Sequence, residues 1–153
     1  MRVQDVMTRH VETIDRQENA QVAFDSMKLK GIRHLVVKNG NSELVGVLSQ
    51  HDLGMPDQYD FREKHRVAEL MSTHVVTASP GMSVKQAANL MRGRTIGCLP
   101  VVEEGRPSRL VGIVTVSDLL ELLGRGVDRP AQGQRVTLKA RGPRVGSKAK
   151  RMR

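Results

Sequence analysis

Aromatic residues, cysteine and long hydrophobic runs are scarce in this 153-residue chain. Phe, Tyr and Trp together make up 2% of the sequence, so a folded core must be built from Val, Leu, Ile, Met and Ala. The single cysteine, Cys98, excludes an internal disulfide and every metal site that needs several cysteines, and we expect it to be a small buried thiol. The sequence has no run of about 18 apolar residues and no signal peptide, which favours a soluble cytoplasmic protein.

The short motifs of common enzyme classes are also missing. The sequence contains no phosphate-binding GxxxxGK[ST] loop, no GxSxG, no GxGxxG and no HExxH. The histidines, at positions 10, 34, 51, 65 and 74, do not have the spacing of metal ligands. We therefore expect no enzymatic activity, no metal site and no cofactor.

Positive charge is concentrated at the C-terminal end. The net charge is +9, yet residues 1–123 hold equal numbers of basic and acidic side chains, 15 of each. Residues 124–153 hold ten Lys and Arg against the single Asp128, together with Gly and Pro at short intervals. This composition predicts a neutral folded body followed by a solvated, disordered tail.

The basic tail has a second interpretation, which is attachment to nucleic acid. Its cations could replace counterions on a phosphate backbone. No aromatic residue lies among them, so binding would lack base stacking and would show little sequence preference and a steep dependence on salt. An acidic protein partner or an anionic membrane surface would use the same charges.

An internal repeat organises the body of the chain. Residues 3–37 align without a gap on residues 67–101 at a constant offset of 64, and from residues 44 and 110 onward the offset is 66. The slip locates a longer turn around 103–109 in the second copy. A repeat of about 50 to 60 residues is too small to bury a good core alone, so we expect the two copies to pack face to face.

Each copy contains an amphipathic helix. Its apolar stripe has helical spacing in both cases, with Ala20, Ala23, Phe24 and Met27 in the first copy and Val84, Ala87, Ala88 and Met91 in the second. Asn19 and Ser83 are suitable N-caps. Gly31 and Gly93 are expected to end the two helices.

Two strands follow the helix in each copy. Apolar, β-branched runs predict them at residues 35–37 and 44–49 in the first copy and at residues 99–102 and 110–115 in the second. Asn39-Gly40 is typical of a hairpin turn. Each second strand leads into a helix that begins near Asp52 or Asp118, so the order is strand, helix, strand, strand, helix.

The second strands end in a shared pattern of Gly, two apolar residues, a hydroxyl residue, two further residues and Asp. The pattern runs from Gly46 through Ser49 to Asp52, and from Gly112 through Thr115 to Asp118. A carboxylate at a helix start can accept hydrogen bonds from both ribose hydroxyls, while the hydroxyl and free N–H groups favour a phosphate. Alternatively, each motif is a capping box with Asp in place of Glu.

With these motifs doubled, residues 3–123 resemble a tandem pair of cystathionine beta-synthase (CBS) domains, or Bateman module. The resemblance implies an α/β (α+β) fold of two βαββα repeats about a pseudo-two-fold axis, with two clefts between them. It also implies a regulatory homodimer that binds an adenosyl ligand such as AMP, ADP, ATP or S-adenosylmethionine. We assign residues 1–53 to repeat 1, 54–66 to a linker, 67–123 to repeat 2 and 124–153 to the basic tail.

The resemblance also implies that the Asp of one repeat works with the start and the first long strand of the other. One cleft would then be lined by Thr115, Asp118, Val11, Thr13, Ile32, Arg33 and His34. The opposite cleft would be lined by Ser49, Asp52, Val75, Thr77, Ile96, Gly97 and Cys98. Because Arg33 and His34 supply donors, the Asp118 cleft is expected to be the better phosphate site.

The expected function is that of a sensor, in which ligand occupancy is signalled to an unidentified effector protein. The alternative is a nucleic-acid-associated protein in which the paired repeats serve as a dimerisation scaffold for the basic tail. The Leu-rich closing helix of the second repeat either completes the core or contributes to a homodimer contact.

Overall fold

A computed structural model describes residues 1–40 and 43–125 of the chain. The basic tail, apart from its first two residues, lies outside the described residues, and so do the expectations that concern it. Among the described residues, no helix is both long and apolar enough to cross a membrane.

Twelve helices and strands follow one another in these two ranges. The first repeat contains α1 (Val3–Val6), β1 (Thr13–Asp15), α2 (Ala20–Lys30), β2 (His34–Asn39), β3 (Glu43–Ser49) and a 3-10 helix (Gln50–Leu53). The remainder contains α3 (Tyr59–Glu63), α4 (Val67–Leu70), α5 (Val84–Arg94), β4 (Cys98–Glu103), β5 (Arg106–Thr115) and α6 (Val116–Arg125). The α/β class expected from the sequence is confirmed.

The strands form one small sheet in each repeat. In the first repeat, β1 is parallel to β2 and β2 is antiparallel to β3. In the second repeat, β4 and β5 form an antiparallel pair. The opening strand predicted for the second repeat is reduced to an isolated parallel bridge between Ala78 and Val101. The order strand, helix, strand, strand, helix therefore holds fully in the first repeat only.

The two long helices begin at the predicted caps. The Asn19 side chain accepts a hydrogen bond from the Gln21 backbone N–H at 2.8 Å. Ser83 and Gln86 form a reciprocal capping box with both distances at 3.0 Å. These contacts satisfy backbone donors that the first turn of a helix leaves without partners.

Only one of the two predicted helix ends is correct. Gly31 ends α2 with a left-handed backbone, φ 62°, as expected. Gly93 does not end α5, which continues to Arg94, and Thr95 adopts the left-handed conformation with φ 53°. Thr95 is the residue that the 64-residue offset aligns with Gly31. The end of the helix is therefore fixed by the repeat geometry, while a single glycine is tolerated within the helix.

The opening segment of each repeat packs into the core of the other. Val3 and Val6 of α1 are buried in one cluster with Leu99 and Val114 of the second repeat. Val67 of α4 is buried in a cluster made otherwise of first-repeat residues. Each of these two clusters is thus built from the body of one repeat and the start of the other.

Backbone hydrogen bonds also join the start of each repeat to the other repeat. Thr8 and Ile113 exchange two hydrogen bonds, with N···O distances of 2.8 and 2.9 Å. Ser72 and Val47 do the same at 2.9 and 3.0 Å. The two paired contacts relate the repeats by the expected pseudo-two-fold symmetry and fix the start of each repeat beside the last strand of the other.

The glycines of the shared motif permit this close approach. A Cβ atom at Gly112 would lie 2.6 Å from Met7 Sδ and 3.1 Å from the Thr8 carbonyl oxygen. A Cβ atom at Gly46 would lie 2.6 Å from Met71 Sδ and 2.9 Å from the Ser72 carbonyl oxygen. Glycine leaves room here for the crossing segment.

Residues 54–66, predicted as a linker, are more structured than that interpretation implies. They contain α3, and Arg62 in this helix is only 1% exposed. The first repeat has only a short closing helix, because the 3-10 helix ends at Gly54 with φ 75°. The segment that follows folds back onto α2 instead of extending freely between the repeats.

The closing helix α6 has a buried side and an exposed side. Leu122 is buried and joins the core that contains α1, while Leu119 packs against that core. Leu120 and Leu123 are 62% and 69% exposed. Part of the helix therefore completes the core, and the rest presents apolar surface.

Candidate functional site

Both Asp motifs form capping boxes in the structure. The Thr115 backbone N–H donates to Asp118 Oδ2 at 2.8 Å, and the Asp118 N–H donates to Thr115 Oγ1 at 3.3 Å. Ser49 and Asp52 make the same two bonds, also at 2.8 and 3.3 Å. The capping interpretation is therefore confirmed. The backbone N–H bonds to the carboxylates use Oδ2, so the second oxygen of each carboxylate, Oδ1, takes no part in the capping box.

The second oxygen of the carboxylate distinguishes the two motifs. Asp118 Oδ1 accepts a hydrogen bond from Thr8 Oγ1 of the first repeat at 3.2 Å. Asp52 Oδ1 has no hydrogen bond from the residues that the structure describes. The Asp52 carboxylate is thus the more available acceptor for a ligand hydroxyl.

Burial dominates the electrostatics of Asp118. It raises the pKa of the Asp118 carboxyl group, whereas the hydrogen bonds from Thr115 and Thr8 act in the opposite direction. Thr8 was not among the residues expected at the site. The available signal was its alignment with Ser72 at the start of each repeat, which identified an equivalent position but not a contact with Asp118.

Arg33 and His34 lie beside the Asp52 motif. His34 is opposite Ser49 in the pairing of β2 with β3, and the Arg33 carbonyl oxygen accepts a hydrogen bond from Gln50 N–H at 2.8 Å. Burial lowers the pKa of His34, and the nearby Asp52 carboxylate opposes that effect. Ser49, Asp52 and His34 are therefore close neighbours within one repeat.

Gly97 and Cys98 occupy the corresponding place beside the Asp118 motif. Cys98 is opposite Thr115 in the pairing of β4 with β5, and the Gly97 carbonyl oxygen accepts a hydrogen bond from Val116 N–H at 3.1 Å. Cys98 is buried, as expected, and burial raises the pKa of its thiol to about 12.

These contacts give each motif neighbours within its own repeat. Arg33 and His34, which were expected on the Asp118 side, lie against Ser49 and Asp52. The physical reason is the antiparallel hairpin, which places the start of its first strand beside the end of its second. For the same reason Gly97 and Cys98 lie beside Asp118. Because His34 also reaches Gly97 of the second repeat, the division of these residues between the two clefts stays a prediction.

One contact near the two motifs joins the repeats. A Cβ atom at Gly97 would lie 3.0 Å from His34 Nε2 and 3.3 Å from His34 Cε1. The imidazole of the first repeat therefore lies directly against the backbone of the second. Through His34 and Gly97, the Asp52 and Asp118 motifs meet at the same interface.

The remaining expected residues are distributed around this interface. Val11 packs against a cluster formed by Val36 of the first repeat and by Cys98 and Ile113 of the second, and its place in a cleft stays a prediction. Thr13 pairs with Val36 and is exposed. Ile32 is half-buried against the core of the first repeat, and Ile96 is half-buried against that of the second. Val75 and Thr77 are half-buried in the segment that precedes the Ala78 bridge. No cluster of metal-ligating side chains is present in the described part of the chain.

The CBS domain family model matches residues 3–53 and 67–125. The chain therefore belongs to the CBS domain family, and its two repeats form a CBS domain pair, or Bateman module.

Several curated proteins are similar to it. A CBS domain-containing protein of Dictyostelium discoideum is 31% identical over 132 residues, which cover 79% of this chain and 90% of that protein. The CBS domain-containing protein YhcV of Bacillus subtilis is 34% identical over 119 residues, covering 76% and 81% of the two chains. A homoserine O-acetyltransferase of Methanosphaerula palustris is 28% identical over 124 residues, but these residues cover 81% of this chain and only 24% of the enzyme.

Solved structures share the fold. The CBS domain pair of protein MJ0100, in complex with 5′-methylthioadenosine and S-adenosyl-L-methionine, superposes with a TM-score of 0.72 at 26% identity, covering 82% of this chain and 97% of that one. A hexameric CBS-CP12 protein from bloom-forming cyanobacteria superposes with a TM-score of 0.67 at 28% identity, covering 78% of this chain and 66% of that one.

Proposed function

We propose that this CBS domain pair is a regulatory module that binds an adenosyl ligand between its repeats. The observation that carries the proposal is the paired Ser49–Asp52 and Thr115–Asp118 motifs, which meet at the His34–Gly97 contact. Support comes from the CBS pair of MJ0100, whose crystal structure holds two adenosyl compounds.

The chemistry of the Asp52 side favours a phosphorylated ligand. Asp52 Oδ1 is available to accept ribose hydroxyls, and Ser49 adds a hydroxyl group close by. Arg33 carries a full positive charge and has an exposed side chain, while His34 offers a ring nitrogen. We place a nucleotide such as AMP, ADP or ATP on this side.

The chemistry of the Asp118 side favours a ligand without phosphate. Gly97 and Cys98 contribute no cation there, and the Cys98 thiol is buried. A ribose that binds Asp118 Oδ1 must replace the hydrogen bond from Thr8. We place an uncharged or cationic adenosyl compound on this side, with S-adenosylmethionine as the first candidate.

The proposed role is regulatory and not catalytic. Ligand occupancy signals only if the ligand binds one arrangement of the repeats better than another. Such a rearrangement would change the His34–Gly97 contact, because this contact joins the two repeats beside both motifs. We propose that a homodimer of the chain passes this change to an effector protein.

Calorimetric titration of the full chain with AMP, ATP and S-adenosylmethionine tests the proposal. Asp52→Ala should abolish nucleotide binding and leave S-adenosylmethionine binding, whereas Asp118→Ala should do the reverse. Asp57→Ala is the matched control, because Asp57 is exposed and lies outside the motifs. If the wild-type chain binds none of the three compounds, the proposed function is wrong.

The basic composition of residues 124–153 supports a second candidate function, nucleic-acid attachment with the CBS pair as a scaffold. Deleting residues 126–153 should then abolish binding to DNA or RNA and leave adenosyl binding intact. Absence of nucleic-acid binding by the full chain at low salt would contradict this second candidate.

A further inference from the structure

Arg62 is a buried cation that neither expected binding motif contains. Its side chain is 1% exposed, although it lies in the polar segment between the repeats. Arg62 Nε donates to Gln21 Oε1 of α2 at 2.6 Å. Its Nη1 donates to the Leu53 carbonyl oxygen at 3.1 Å and to that of Met55 at 2.7 Å, and Nη2 donates to the Pro56 carbonyl oxygen at 3.0 Å.

The positive charge is stabilised without a carboxylate among these partners. Three main-chain carbonyl groups and one side-chain amide accept its hydrogen bonds. The ring of Phe24 lies against the guanidinium, with Cζ 3.8 Å from the ring centroid. A planar group with five donors can satisfy this set, and the shorter list of donors on lysine cannot.

The bond to Leu53 connects Arg62 to the Asp52 motif. Leu53 is the last residue of the 3-10 helix Gln50–Leu53, and Asp52 precedes it. A 3-10 helix of one turn has few internal hydrogen bonds and needs support from its surroundings. Arg62 supplies that support by holding the Leu53 carbonyl group and the following loop against α2.

The Asp118 motif of the second repeat is held in place in a different way. Asp118 lies in α6, a helix of ten residues whose Leu122 is buried in the core. The length of α6 and its own packing hold the Asp118 end of the motif. Both motifs thus have a buried leucine nearby, Leu53 beside Asp52 and Leu122 in α6, and the Asp52 motif has the bond from Arg62 in addition.

We propose that Arg62 is a positioning residue for Asp52, and through it for the ligand site of the first repeat. The inference rests on the proposed adenosyl-binding function as far as the ligand is concerned. Its structural part, that Arg62 fixes the 3-10 helix, is independent of any ligand. Loss of Arg62 therefore affects the Asp52 motif and leaves the Asp118 motif unchanged.

Amide hydrogen exchange of the full chain without ligand tests the structural part. The variants are Arg62→Met, which keeps an unbranched side chain but removes the guanidinium group, and Arg62→Lys, which keeps the charge. The control is Lys64→Met, because Lys64 is exposed in the same segment and its loss changes the net charge equally. Exchange at the amides of Asp52 and Gly54 should accelerate by about tenfold or more in Arg62→Met, while that of Asp118 stays within about twofold.

Ligand binding tests the functional part. In Arg62→Met, AMP affinity should fall by about tenfold or more while S-adenosylmethionine affinity changes by less than about twofold. Arg62→Lys should fold and give an intermediate loss, which covers the case in which Arg62→Met does not fold. Equal losses for both ligands, or equal acceleration of exchange in both repeats, would show that Arg62 is merely structural and would overturn the proposal.

Failure of the inference is distinguishable from failure of the proposed function. If wild type binds no adenosyl compound, the proposed function fails, while selective exchange at Asp52 and Gly54 still supports the positioning role. If wild type binds AMP but Arg62→Met exchanges and binds as wild type does, the inference fails and the proposed function stands.

Discussion

Thr8 Oγ1 of the first repeat donates a hydrogen bond to Asp118 of the second repeat across a distance of 3.2 Å. The two residues are far apart in sequence, and the bond exists because the start of the first repeat pairs with β5 next to Ile113. The core contacts and the Asp118 carboxylate therefore depend on the same crossing segment. A change in the segment around Thr8 therefore acts directly on the Asp118 site of the second repeat.

Removing the Thr8 hydroxyl should destabilise the protein. Thr8→Val keeps the shape of the side chain but takes one hydrogen bond from a partly buried carboxylate, so we expect a loss of about 1 to 2 kcal/mol in the free energy of unfolding. Urea denaturation at neutral pH measures it. The control is Ser72→Ala at the equivalent position, where the described residues show no side-chain bond to Asp52, and it should be nearly neutral. Equal effects of the two substitutions would contradict the prediction.

Asp118→Asn should separate stability from binding. Burial raises the pKa of Asp118 above its usual 3.8, so the folded protein holds this proton more tightly than the unfolded chain. The contribution of Asp118 to stability is therefore greatest at low pH and is lost as the pH rises through 3.8 and on through the raised value. Asn keeps an acceptor for the Thr115 N–H without the charge. We expect the variant to be at least as stable as wild type at neutral pH while losing the adenosyl ligand of that motif.

Denaturation curves from about pH 3 to pH 7 check this prediction. The stability of Asp118→Asn relative to wild type should increase with pH over the lower part of that range and then become constant. A relative stability that falls as the pH rises would show that the Asp118 carboxylate is stabilising, contrary to the sign derived from its raised pKa.

The fold was largely predictable because the sequence contains two copies of the same pattern. Asn19 and Ser83 cap the two long helices as their local patterns indicate. Gly93 shows where a local rule failed, since a glycine after a basic residue is typical of a helix end but the chain turns at Thr95. The equivalence of Thr95 and Gly31 was already present in the repeat alignment. Repeat geometry was therefore the better guide than residue type.

The site was only partly predictable. The strands and the Asn39-Gly40 turn already indicated a hairpin, and a hairpin places His34 beside Ser49. The contact of Thr8 with Asp118 arises only when the two repeats pack together, and no local sequence pattern predicts it. The burial of Arg62 was equally hidden, because it depends on carbonyl groups that the loop after Leu53 directs inward.

Adding a methyl group at Gly112 should destabilise the protein. The added Cβ would lie 2.6 Å from Met7 Sδ and 3.1 Å from the Thr8 carbonyl oxygen, and the backbone atom cannot move without opening the pairing with Ile113. We expect Gly112→Ala to lower the free energy of unfolding by about 1 to 3 kcal/mol. Gly81→Ala is the control, because nothing lies within 4 Å of the added atom. If the two substitutions cost the same in urea denaturation, the close crossing of the repeats is not as described.

His34 should give the interface a pH dependence opposite in sign to that of Asp118. Burial lowers the pKa of His34 below 6.5, with the Asp52 carboxylate opposing and Arg33 reinforcing the shift, so the folded protein binds this proton more weakly than the unfolded chain. The stability that the neutral ring contributes is complete above pH 6.5 and is lost as the pH falls through 6.5 towards the lowered value. The protonated ring must then be accommodated against Gly97.

His34→Gln should remove this part of the pH dependence, since glutamine stays neutral at every pH in the range. The matched control is His74→Gln, because His74 is exposed and lies outside the His34–Gly97 contact. The free energy of unfolding, measured from about pH 5 to pH 8, should fall towards acid more steeply in wild type and in His74→Gln than in His34→Gln. Parallel curves for all three proteins would mean that His34 does not carry the effect, and that its contact with Gly97 tolerates a charged ring as well as a neutral one.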